Sequence, residues 1–107
     1  MRTLEFVVKK QRLLKKRGCD FSGLVAGTVG YLHAKFHISD PSWDLCTIKI
    51  ARFWLGDIEY AVPLDGNNVC LIPEEVLIGE NIELSVLGAS SGYRLETNRA
   101  KIKQEVK

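Results

Sequence analysis

Two-residue alternation of apolar and polar side chains constrains this chain more than any other feature. Leu32, Ala34, Phe36 and Ile38 fall on one side of an extended backbone, opposite Tyr31, His33, Lys35 and His37. Successive side chains of a strand point to opposite faces, so this pattern predicts a half-buried strand. Leu4, Phe6 and Val8 repeat it against Glu5 and Lys9, and Ile58, Tyr60, Val62 and Leu64 repeat it against Glu59 and Ala61. Further strands are expected from Cys46 to Trp54, over Val69 to Ile72 and around Ile82, Leu84 and Val86. The weak alternation of Ala100, Ile102 and Val106 predicts edge pairing within Tyr93 to Val106.

Turn chemistry separates these runs. Asp40-Pro41-Ser42 breaks the third, because proline has no N–H for a ladder. Gly56-Asp57 predicts a turn, and Asp65-Gly66-Asn67-Asn68 predicts a hairpin through residues that tolerate left-handed backbone. The cluster Gly88-Ala89-Ser90-Ser91-Gly92 closes another strand. Pro73-Glu74-Glu75-Val76-Leu77 is the best helical turn, with proline at its start and acids at the positive end of the dipole. About seven or eight short strands and one helical turn predict an all-β fold, an antiparallel β-sandwich, with a small barrel as the alternative. With 107 residues the chain suits one domain, residues 1–107.

Charge is uneven. Residues 1–53 carry ten Lys/Arg against four Asp/Glu, and residues 54–107 carry five against nine. Much of the basic excess is Lys9, Lys10, Arg12, Lys15, Lys16 and Arg17. That segment reads as a solvated hairpin whose lysines blunt a sheet edge, or as a patch for an acidic partner or for a phosphate backbone, as in a small nucleic-acid-binding barrel. The net charge of +2 and the lack of aromatics interleaved with the basic residues argue against a nucleic-acid binder.

Nothing in the sequence assembles a catalytic centre. His33 and His37 on one strand stand roughly 13 Å apart at about 3.3 Å per residue, too far to share a metal ion. The cysteines Cys19, Cys46 and Cys70 have no CxxC spacing, which predicts free thiols in a reducing compartment and neither a disulfide framework nor zinc. No GxSxG, P-loop or GxGxxG pattern occurs. The acid pairs Asp40 with Asp44 and Asp57 with Glu59 flank turns, where carboxylates cap or stay solvated. The expectation is a non-enzymatic chain without cofactor or metal. No apolar run approaches a signal peptide's core or the ~18 residues of a membrane span.

The order of several segments is similar to that in small β domains of tail and baseplate proteins from phages and prophages of Gram-positive bacteria. The segments are Leu4-Glu5-Phe6-Val7-Val8-Lys9-Lys10-Gln11, Tyr31-Leu32-His33-Ala34-Lys35-Phe36, Ser39-Asp40, Trp43-Asp44 and Lys49 to Phe53. Tyr60-Ala61-Val62-Pro63-Leu64-Asp65, Cys70-Leu71-Ile72-Pro73-Glu74-Glu75-Val76-Leu77, Ser85-Val86-Leu87-Gly88 and Thr97-Asn98 follow. The resemblance implies an Ig-like β-sandwich acting as a structural module, made in the bacterial cytoplasm and carried into the virion. It implies no catalytic residues.

Expected partners are other tail or baseplate proteins and a second copy of the chain as a homo-oligomer. The bulky neighbours Phe53-Trp54 and Tyr31-Leu32 put aromatics on both faces of their strands. Tyr31 and Trp54, with the basic hairpin, are therefore the expected partner contact. Trp43 reads either as the cover of one end of the core or as a stacking platform for a host surface glycan.

Overall fold

The alternation over Leu32, Ala34 and Phe36 becomes a strand, β3 (Leu32–Ile38), with those three side chains buried and His33, Lys35 and His37 turned away from the core. The computed structural model describes residues 1–106. Before β3 come β1 (Arg2–Lys9) and β2 (Arg12–Lys15). After it come β4 (Ile48–Leu55), β5 (Ile58–Pro63), β6 (Val69–Leu71), β7 (Asn81–Ser90), β8 (Tyr93–Glu96) and β9 (Ala100–Lys103). These nine strands form two sheets, ordered β2-β1-β3-β6 and β5-β4-β7-β8, with β9 also paired to β7. The inner faces meet in a core that runs from Leu4 to Ile102. The fold is thus an all-β sandwich.

The sheets are not antiparallel throughout, as the sequence suggested. β1 and β3 pair in parallel, Leu4 opposite Ala34 and Phe6 opposite Phe36. Parallel neighbours need a long crossover, and residues 10–31 supply it. β2 folds back along the outer edge of β1, and residues 16–31 then return the chain to the starting end. Arg2 fastens this loop, its guanidinium donating to the carbonyls of Asp20 and Ser22 at 2.9 and 2.7 Å. Phe21 packs edge-on against Phe6.

Two turns also differ from expectation. The predicted Asp65–Asn68 hairpin is a tight turn, but β5 and β6 on either side of it belong to different sheets. The local chemistry is as read: Asp65 Oδ1 accepts from the N–H groups of Asn67 and Val69, and Asn68 adopts φ +59°. Burial of Cys70 opposite Ala34 decides which sheet receives the next strand. The helical turn lies at Pro41–Leu45, a 3-10 turn capped by Asp40, and not at Pro73–Leu77, which forms successive hydrogen-bonded turns, Val76 N–H donating to the Pro73 carbonyl at 3.2 Å and Leu77 N–H to that of Glu74 at 3.1 Å. Asp40 wins because its carboxylate accepts from Ser42 N–H at 2.9 Å and from Lys10 N–H at 2.9 Å, fixing the start.

Candidate interaction surface

Consecutive Phe53 and Trp54 do point to opposite faces of β4. Phe53 enters the core, and Trp54 lies on the outer face of the second sheet. Trp54 is nevertheless only 6% exposed, which corrects its assignment as an open partner contact. The Arg99 guanidinium sits 3.7 Å from its ring centroid and that of Arg52 4.9 Å away. Carboxylates hold both cations in place. Arg52 pairs with Glu59 at 2.6 Å and with Glu96, and Arg99 pairs with Glu83 at 3.1 Å. The hydrogen bond to Glu59 raises the Arg52 pKa, and the same bond lowers that of Glu59. Alternation along β4 reveals the face Trp54 occupies. It does not reveal the cover, which comes from a loop 45 positions later.

Trp43 is fully buried, so the glycan-contact assignment is overturned. Its indole Nε1 donates to the Lys10 carbonyl at 2.8 Å, tying the 3-10 turn to the β1–β2 hairpin. Tyr93 donates its hydroxyl to the Ser42 carbonyl at 2.8 Å on the same turn. A buried indole with its N–H satisfied closes an end of the core and offers no face to a sugar.

Tyr31 is 45% exposed at the start of β3. It belongs to the first sheet, as does the basic hairpin, whereas Trp54 lies outside the second. The structure therefore does not join Tyr31, Trp54 and the hairpin in one interface.

The hairpin exists as expected, with its basic residues distributed by register. Lys9 faces Arg12 and Glu5 is flanked by Lys16 and Lys35, all on the outer face of the first sheet with His33 and His37. His37 Nε2 lies 2.7 Å from the Glu5 carboxylate. Lys10 occupies the turn with φ +55°. Lys15 sits on the other side, its ammonium 5.1 Å from the Phe21 ring. Arg17 follows the strand and, with Lys9, rims a shallow groove over Val7 and Leu14. The edge of β2 is covered by more than lysines: Asn98 Oδ1 accepts from Leu13 N–H at 2.8 Å, and Asn98 N–H donates to the Gln11 carbonyl at 3.1 Å.

Exposed aliphatics that alternation alone did not single out complete the surface. Ile48 and Ile58 lie on the second sheet, and Val29 and Ile78 lie on loops at the end remote from the hairpin tip. Unpaired apolar side chains at strand starts such as Ile48 carry a weak sequence signal, because either phase of a strand's first residue is compatible with the pattern. Among the described residues no three His, Cys, Asp or Glu side chains come together to hold a metal. No helix there is long and apolar enough to cross a membrane.

Fold and surface together define an all-β sandwich whose exposed chemistry is charged and aliphatic. No protein-family model, curated protein or solved structure matches the chain.

Proposed function

We propose that this chain is a non-enzymatic assembly module of a phage or prophage tail or baseplate, made in the bacterial cytoplasm and working through protein–protein contacts in the virion. The observation that carries the reading is the pairing of a closed core with outward aliphatics. Val29, Ile48, Ile58 and Ile78 are each more than half exposed, and such side chains are what contact surfaces bury. The segment order shared with tail and baseplate domains supplies the particle. Burial of Trp43 removes the residue on which a glycan-binding reading rested. The test is co-purification of the tagged chain with the tail and baseplate proteins encoded beside it. A stable complex with one of them supports the reading, and absence of the chain from assembled particles together with its recovery alone from lysate overturns it.

A further inference from the structure

Two shallow grooves on this molecule have apolar floors and oppositely charged rims, and they lie too far apart to meet within one chain. The first runs over Val7 and Leu14 on the outer face of the hairpin, with the cations of Lys9 and Arg17 at its rim. The second lies at the other end of the sandwich, over Val29 and Ile78, rimmed by Glu74 and Glu75. The ends are fixed by register. Val8 pairs with Ile38 beside the hairpin tip, whereas Leu71, just before the acidic loop, pairs with His33 at the start of β3. The long dimension of the molecule is 44 Å.

The rim charges are exposed and take no part in an ion pair among the described residues. This sets them apart from Arg52, Arg94 and Arg99 at the second sheet, each of which is paired with a glutamate. Unpaired rims of opposite sign around apolar floors are the complementarity that steers and orients a docking pair.

We infer that the acidic groove of one copy docks on the basic hairpin groove of a second copy, head to tail. This rests on the reading of the chain as an assembly module and names one of its partners as the chain itself. The contact is heterologous, because each copy contributes a different surface. Such contacts close into a ring when the rotation allows and otherwise propagate. Screening by salt weakens the rims, since the Debye length falls from about 10 Å at 0.1 M to about 3 Å at 1 M.

Sedimentation of the full chain at tens of micromolar tests this with two charge-reversed variants, K9E/R17E and E74K/E75K. The wild type is expected to exceed monomer mass at low salt and to lose that association at high salt. Each variant alone is expected to be monomeric, having kept one working surface and inverted the other. Mixed in equal amounts, they are expected to associate again, because the two kept grooves meet as in the wild type and the two reversed rims are opposite in sign to each other. Ile78→Ser, which leaves the charges intact, is expected to weaken wild-type association as well, and unchanged thermal unfolding identifies the variants that fold. A wild type monomeric at low salt, or association untouched by both reversals, overturns the inference. A monomer that still binds a tail protein overturns head-to-tail docking alone and leaves the assembly reading standing.

Discussion

The six-membered ring of Trp43 rests against the bare backbone of Gly88: a Cβ built there would lie 2.7 Å from Trp43 Cζ3 and 2.6 Å from Cys46 Sγ. Gly88 sits within β7, where glycine costs strand stability and is kept when another group needs the space. The indole, once seated, fixes both the 3-10 turn and the hairpin tip through its bond to Lys10. Gly88→Ala is expected to destabilise by about 1–3 kcal/mol through overpacking, read from the midpoint of urea unfolding. An unchanged midpoint would show that the ring has room to move.

Phe36 is 1% exposed and stacks on Phe6 at a centroid separation of 5.4 Å. Truncating it leaves a cavity between the two sheets at the parallel pair. Phe36→Ala is expected to cost about 3–5 kcal/mol in chemical denaturation, as for other buried phenylalanines. A loss below about 1 kcal/mol would mean that the site collapses around the missing ring.

Glu5 accepts a hydrogen bond from His37, which holds its carboxyl below the ordinary 4.5, and Lys16 and Lys35 add to the effect. A carboxyl depressed in the folded state stabilises above its unfolded value and loses that contribution as pH falls through the folded value. Wild-type stability relative to Glu5→Gln should therefore be greatest above about pH 4.5 and vanish on further acidification. Parallel unfolding curves for the two proteins at every pH would contradict this.

The three thiols should differ in reactivity. Burial pushes the Cys70 thiol up to about 12, with the Asp65 carboxylate adding to the shift. Cys46 is also buried, and Cys19 is partly exposed beside the amide of Glu5. An aromatic disulfide reagent should label Cys19 first in the native protein and all three after unfolding without reductant. Fewer than three in the unfolded protein would reveal a disulfide.

Removing the Arg99 guanidinium should uncover Trp54. Arg99→Ala is expected to red-shift the tryptophan emission and increase quenching by acrylamide, with Trp43 a constant, shielded background. The accompanying stability loss should be about 0.5–1 kcal/mol, the range of an exposed cation–π contact. Emission identical to wild type would place the cover elsewhere.

Much of this architecture is legible in the sequence because a sandwich buries alternate residues, and alternation survives in one dimension. Phe36 inward and Phe53 opposed to Trp54 both follow from it. What the sequence hides is non-local. Whether β1 and β3 run in the same direction depends on where residues 16–31 carry the chain, and that loop has no period. The turn at Asp65 is readable from its own side chain, but the sheet that the next strand joins is decided by Ala34 and Cys70. The open or closed state of Trp54 depends on Arg99, and that of Trp43 on a glycine in β7. The surface was the least legible part, since an exposed aliphatic and a core aliphatic look alike until the sheets are assembled.

The parallel pairing of β1 with β3 has a consequence for the order in which the molecule assembles. β4 meets β5 across the two residues Gly56-Asp57, and β7 meets β8 across Ser91-Gly92, so both hairpins of the second sheet zip from short loops. The β1–β3 ladder closes only after residues 10–31 have been looped out, an entropic cost that precedes any reward from its contacts. The same cost falls on the β4–β7 ladder, which loops out residues 56–80, so the two-residue hairpins β1–β2, β4–β5 and β7–β8 are expected to form before the ladders that join them. In pulsed hydrogen exchange the amides bonded within the short-loop hairpins should gain protection before those bonded between β1 and β3, and during that interval the free edge of β1, from Leu4 to Val8, is open to aberrant pairing with another chain.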